Sequence, residues 1–204
     1  MAAEDTLKTG LNQMGLTIAP EPQGQLMAYL HMMRKWNQAY NLTAITDLEQ
    51  MVIRHLLDSL SILPFIGSSP VLDVGSGAGL PGIPLAIALP GQHFILLDSN
   101  GKKTRFLTQS KIDLGLKNVD IVHARVEEFQ PEVPLAIVTC RAFAALETIL
   151  DSTRHLLTSA TRILAMKAKQ EHVILPEGYE QVASHQLAVA FLDEARLLIE
   201  IKMS

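Results

Sequence analysis

With 204 residues, 48% hydrophobic and 19% charged, the chain is long enough for one cored domain plus a modest extension and too apolar to stay disordered. A net charge of −4 excludes a global basic field, so nucleic-acid contact must come from local clusters. The single cysteine, Cys140, excludes an intramolecular disulfide and suits a reducing cytoplasm, the expected compartment. The N-terminal run MAAEDTLKTG lacks the basic and apolar regions of a signal peptide, and no apolar run reaches the roughly 18 residues of a membrane span.

The first 66 residues read as helical. Leu26, Tyr29, Leu30, Met33, Trp36 and Tyr40 recur at three and four within Gln25–Tyr40, which predicts one amphipathic helix. Asp47 with Gln50 predicts a capping box that opens a second helix running towards Leu63, with Pro64 ending it. Gly67-Ser68-Ser69-Pro70 reads as a linker. Beyond it, short β runs alternate with helices: strands at Val71–Val74, Phe94–Leu97, Val119–Val122, Leu135–Thr139 and Arg162–Met166, with helices at about Pro81–Leu89, Lys102–Leu114 and Ala142–Leu157. Gln181–Ala190 and Ala195–Lys202 read as an antiparallel pair. The pattern predicts an α/β fold: a Rossmann-like, mostly parallel sheet of right-handed βαβ units with an antiparallel pair at its end. The expected division is a helical extension over residues 1–66 and a catalytic domain over residues 67–204.

The strongest motif is Val71-Leu72-Asp73-Val74-Gly75-Ser76-Gly77-Ala78-Gly79-Leu80-Pro81-Gly82. Its glycines allow a sharp strand-to-helix turn and let a ligand touch bare backbone at the carboxyl end of the sheet. Gly77 to Gly82 also fits the dinucleotide pattern G-x-G-x-x-G. Asp73, at the start of the loop, would repel a pyrophosphate but suit S-adenosylmethionine, which carries an ammonium and a sulfonium and no phosphate. Asp98 closes the second strand, 19 positions after Gly79, where an acid can accept from ribose hydroxyls. The structural alternative is that Asp73 and Asp98 merely cap a turn and a helix. Arg125-Val126-Glu127-Glu128-Phe129, after the third strand, is placed either at the adenine edge or in a solvated turn.

Several strings taken together resemble one family: Trp36-Asn37-x-x-Tyr40-Asn41-Leu42-Thr43, Arg54-His55-x-x-Asp58-Ser59, Gly77-x-Gly79-Leu80-Pro81-Gly82-Ile83-Pro84-Leu85, Leu97-Asp98-Ser99 with Lys102, Arg125-Val126-Glu127-Glu128 and Arg141-Ala142-Phe143. The resemblance, over roughly residues 25 to 200, is to the bacterial small-subunit ribosomal RNA guanine-N7 methyltransferases, the glucose-inhibited division protein B family. It implies S-adenosyl-L-methionine as cofactor, with Gly75, Leu80, Val126, Glu127 and Arg141 at its site. Gly77 and Asp98 join them from the loop reading, and Arg141 is the candidate catalytic residue. The implied product is 7-methylguanosine in the decoding-region loop, with small-subunit rRNA or a ribosomal subunit as partner. The lysine after the fifth strand departs from the family pattern: Lys167 is followed by Ala168, not glycine.

The residues bear on the acceptor independently. Exocyclic-amine methylation uses an acid or amide followed by Pro-Pro-aromatic after the fourth strand, where this chain has Thr139-Cys140-Arg141-Ala142-Phe143. C5 methylation needs a cysteine nucleophile, and Cys140, which lacks the usual preceding proline, reads better as a buried hydrophobe. Guanine N7 has a free lone pair and no proton to lose, so alignment alone suffices. Phe143 is either a stacking platform or core. Lys102, Lys103, Arg105, Arg54, Arg125, Arg141, Lys167 and Lys169 could form a phosphate-binding rim, although a solvated helix face explains Lys103 and Arg105 equally well. His55 reads as structural more readily than as a contact to RNA or cofactor, and the remaining histidines show no metal-ligand spacing. A monomer without metal or membrane attachment is expected. The competing functions are a nicotinamide-dependent oxidoreductase and a non-catalytic nucleotide- or RNA-binding module.

Overall fold

The computed structural model describes residues 2–67, 69–141, 146–168 and 174–204. Helices α1 (Ala3–Gln13) and α2 (Pro20–Tyr40) come first. Asp47 then caps α3 (Leu48–Met51), its carboxylate accepting from Gln50 N at 2.8 Å; this is half of the expected capping box, because the Gln50 side chain accepts from Arg54 Nε at 3.3 Å instead of reaching back to Asp47 N. The expected single helix towards Leu63 is instead interrupted. Val52–Leu57 is π-helical, α4 covers Asp58–Leu60, and Pro64 sits in a 3₁₀ turn, Leu63–Phe65. Widened π turns concentrate at functional sites, and this one carries Arg54 and His55.

Strands β1 (Val71–Val74), β2 (Phe94–Asp98), β3 (Val119–His123), β4 (Ile137–Arg141) and β5 (Arg162–Lys167) alternate with α5 (Gly82–Ala88), α6 (Gly101–Asp113) and α7 (Leu146–Thr153). A closing hairpin follows, β6 (Tyr179–Leu187) and β7 (Arg196–Met203). The sheet order is β3-β2-β1-β4-β5-β7-β6. The first five strands are parallel, and β7 runs antiparallel to both β5 and β6. Strand β4 starts at Ile137 rather than Leu135, because its ladder with β1 begins at the Val71–Ile137 pair. The expected start of the helix at Ala142, and Phe143 and Lys169, lie outside the described residues.

Central strands are apolar on both faces because both are covered. Phe94 and Leu96 point into one core shared with Leu7, Leu11, Leu26, Tyr29, Met33, Leu56 and Phe106. Ile95 and Leu97 point into the other, with Ile149, Leu150 and Ile199. The helices of residues 1–66 therefore form part of the layer covering one sheet face. No helix among the described residues is long and apolar enough to cross a membrane.

Candidate active site

The strand order reverses between β1 and β4, and open α/β sheets bind ligands in the crevice at such a point. The glycine loop opens there. Gly79 has φ +91°, and a Cβ on it would lie 2.6 Å from Ile83 Cγ1 and 2.8 Å from Leu107 Cδ2, so close packing requires glycine. Tyr29 of α2 braces the same loop by donating to Ala78 O. Gly77 differs: at φ +61° its Cβ position meets only Gly75 O at 3.8 Å and Lys103 Nζ at 3.9 Å, ordinary contact distances, so no close packing covers its backbone.

Most of the loop's N–H groups are already engaged. Gly75 N and Ser76 N donate to Leu97 O, Gly79 N and Leu80 N donate to Ser76 O, and Ile83 N donates to Gly79 O. Two go to carboxylates: Gly77 N to Asp98 Oδ2 at 2.8 Å, and Gly82 N to Asp73 Oδ2 at 3.1 Å. A phosphate cradle needs those donors free. The argument against a dinucleotide therefore holds for a different reason than the sequence suggests, since Asp73 is wholly buried beneath the loop rather than displayed on it. Its Oδ1 has no partner, and burial pushes its carboxyl up to about 7. A buried carboxylate oxygen without a donor favours a cation nearby.

Asp98 accepts from Gly77 N through Oδ2 and from Asn100 N through Oδ1 at 2.8 Å. A carboxylate has about four lone-pair sites, so each oxygen keeps capacity for one further donor. Lys103 Nζ stands 4.0 Å from Asp98 Oδ2, which places this lysine at the site rather than on a remote helix face. Gly75, Asp98, Ser99, Arg125, Val126 and Glu127 line one cavity of about 240 Å³. Four of the expected cofactor residues thus meet there, with Gly77 tied to Asp98. Two lie elsewhere: Arg141 at the cavity described next, and Leu80, which is half-buried against the helical core and lines no described cavity.

Arg141 lies at a second cavity of about 240 Å³, with Asp58, Cys140, Met166, Lys167 and Arg196 among its walls. Its guanidinium is fixed on three sides: Nε 3.3 Å from Asp58 Oδ2, Nη1 3.2 Å from Ser59 Oγ, and Nη2 donating to Arg54 O at 2.9 Å. Asp58 Oδ1 also accepts from Arg196 Nε at 2.9 Å. Arg196 reaches Glu194, which holds Arg54 in a bidentate pair at 2.7 and 2.8 Å. His55 is buried, with Nε2 2.9 Å from Thr43 Oγ1; burial first and then Arg141 lower it to about 4, so it is neutral. Burial pushes the Cys140 thiol up to about 12, which leaves no thiolate at neutral pH.

Sequence reasoning singled out Arg141 but missed the network that holds it. The string Arg54-His55-x-x-Asp58-Ser59 contained most of its partners, whereas Arg196 and Glu194 carry no local pattern. Among the described residues, no group of three or more His, Cys, Asp or Glu is arranged to hold a metal ion.

The family model described as GidB, rRNA small subunit methyltransferase G, matches residues 23–199. A relative named ribosomal RNA small subunit methyltransferase G from Pseudomonas aeruginosa (strain LESB58) is 49% identical over 202 residues, covering 97% of this chain and 94% of its own. One of the same name from Marinobacter nauticus (strain ATCC 700491 / DSM 11845 / VT8) is 48% identical over 196 residues, covering 95% and 92%. Among solved structures, the glycopeptide N-methyltransferase MtfA complexed with S-adenosyl-L-methionine shares the fold. Its TM-score is 0.59 at 13% identity, over 74% of this chain and 95% of that one.

Proposed function

The chain belongs to the rRNA small subunit methyltransferase G family, and from that membership we propose how its site works. It is an S-adenosylmethionine-dependent enzyme that methylates N7 of a guanine in small-subunit ribosomal RNA. The guanine we assign lies in the decoding-region loop. The observation that carries the reading is the disposition of the two carboxylates: Asp98 and Asp73 occupy the loop's Gly77 and Gly82 N–H groups, so the loop suits a cationic, phosphate-free cofactor.

The residues present fit that cofactor. Asp98 would hold the ribose hydroxyls, Val126 and Glu127 the adenine edge, and the bare backbone of Gly75 and Gly77 the body of the molecule, with Asp73 Oδ1 supplying negative charge below. When bound, the cofactor supplies an electrophilic methyl on a sulfonium. The remaining task is alignment. Arg141, locked by Asp58, Ser59 and Arg54 O, would fix either an RNA phosphate or the cofactor carboxylate at the cavity mouth. No side chain has to remove a proton, because N7 presents a lone pair. The neutral His55 and the un-ionised Cys140 are consistent with chemistry that needs neither base nor thiolate. Residues 1–66 then act as an extension that supplies Asp58 and Tyr29 to a transferase unit of residues 67–204. We place the enzyme in the cytoplasm as a monomer.

The test uses labelled S-adenosylmethionine and small subunits from cells lacking the enzyme. One methyl per subunit is expected. N7 methylation makes the glycosidic bond labile after borohydride, so aniline should cut the RNA and give one new primer-extension stop in the decoding-region loop. Transfer to protein or to a small molecule, with rRNA untouched, would overturn the substrate.

A further inference from the structure

We propose that a groove between the C-terminal half of α2 and α6 binds a base and phosphate of the single-stranded RNA flanking the methylated guanine. This inference rests on the rRNA reading above and names a docking surface beyond the cofactor and Arg141 cavities.

The groove has a volume of about 400 Å³, and Trp36, Tyr40, Arg105, Thr108, Gln109 and His123 are among its walls. Trp36 and Tyr40 are one helical turn apart and meet edge to face, with centroids 4.9 Å apart at 61°. Trp36 rests in turn on Phe106 at 5.7 Å. Core packing explains the inner face of Trp36, but Tyr40 belongs to neither hydrophobic core. A half-buried aromatic pair, braced from below and open at its side, is the platform on which an unstacked base lies at little entropic cost.

The charge beside it favours RNA. Lys102 and Arg105 of α6 are exposed, and neither makes an ion pair among the described residues. The acid on the same helix, Asp113, accepts from Gln109 Nε2 at 2.6 Å. In a chain of net charge −4, unneutralised cations beside aromatic rings match a polyanion with flat bases better than a peptide. The groove also adjoins the cofactor cavity. His123 Nε2 is 3.1 Å from Ser99 O, and Ser99 lines that cavity with Asp98. A strand whose guanine enters the active site can therefore continue over α6 into the groove.

Trp36 is the only tryptophan of the chain, so its emission reports on this groove. Titration with a guanine-free single-stranded RNA of about ten nucleotides should quench it, and the apparent Kd should rise about tenfold in Arg105→Glu. In steady-state methyl transfer to small subunits, Arg105→Glu and Tyr40→Leu should each raise KM for the subunit about tenfold, with kcat, KM for S-adenosylmethionine and Tm unchanged. Both variants transferring with wild-type KM, beside an active wild type, would remove the groove while leaving the function standing. A wild type that transfers no methyl to rRNA would remove the function reading itself, and the groove with it.

Discussion

Asp58 and Arg141 form an ion pair of 3.3 Å that joins the N-terminal helical region to the end of β4. Asp58 has 5% of its side chain exposed and Arg141 19%, so the pair is shielded from the solvent that weakens surface ion pairs. The same carboxylate holds Arg196 of β7. One buried acid thus fixes two guanidiniums from distant parts of the chain, on strands separated in the sheet only by β5, in the wall of one cavity.

Removing Asp58 should be costlier than removing Arg141. Asp58→Ala leaves two sheltered arginines facing each other, and breaking such a pair costs about 3–5 kcal/mol. Arg141→Ala leaves Asp58 still neutralised by Arg196, so we expect a loss nearer 1–2 kcal/mol but a severe fall in kcat/KM. Denaturant titration measures the first quantity and methyl-transfer kinetics the second. In a double-mutant cycle with Asp58→Asn, the losses in kcat/KM should be non-additive, since Asp58 acts through Arg141. Additive losses, or wild-type turnover in Arg141→Ala, would return Arg141 to a purely structural role.

The parallel sheet was legible because its strands are short apolar runs that end in a glycine loop at Gly75 or an acid at Asp98, punctuation that tertiary context rarely overrides. The cavity lined by Gly75, Asp98 and Val126–Glu127 was legible for the same reason: these residues end or follow successive strands, where the fold itself converges. That Leu80 lies away from this cavity was not legible, because the loop turns inward at Ser76, whose carbonyl accepts from both Gly79 N and Leu80 N. The π turn at Val52–Leu57 breaks the helical period without a proline or glycine to announce it. Arg196 and Glu194 belong to the Asp58 network only through long-range pairing of β7 with β5, which no local pattern encodes.

Asp98 should matter to cofactor affinity more than to folding, although not to affinity alone. Its two oxygens fix Gly77 N and Asn100 N, so Asp98→Ala also loosens the loop. Asp98→Asn keeps one oxygen and the shape. Hydrogen bonds to a charged acceptor contribute about 1.5–3 kcal/mol each, so calorimetry should show S-adenosylmethionine binding at least about tenfold weaker in Asp98→Asn. Unchanged affinity there would remove the ribose assignment.

Cys140→Ser should keep most of the methyl transfer. The thiol is 3% exposed and held at about 12 by burial, so the thiolate that a covalent mechanism requires is scarce. The cost should be about 1–2 kcal/mol of stability, from placing a hydroxyl in an apolar site. Loss of all turnover in a folded variant that still binds cofactor would revive the covalent route.

Asp73 and His55 should give the protein opposing pH dependences that nearly cancel. Burial raises Asp73 from 3.8 to about 7, so the folded state favours the protonated acid. That stability is complete below pH 3.8 and is lost as pH rises through about 7, a swing of about 4 kcal/mol. His55 is lowered from 6.5 to about 4, by burial and then by Arg141, so the folded state favours neutral imidazole. Its contribution is complete above pH 6.5 and is lost as pH falls towards 4. Urea unfolding across this range should therefore find a flat wild-type curve. Asp73→Asn should gain on wild type as pH rises, and His55→Gln should gain as pH falls. Cofactor binding adds a sharper test. A cation settling near the unpartnered Asp73 Oδ1 favours the carboxylate, so binding near pH 6 should release up to about one proton. Calorimetry in two buffers of different ionisation enthalpy measures that release. Its presence in wild type and loss in Asp73→Asn would place the cofactor's positive charge beside Asp73, and equal release in both proteins would rule that placement out.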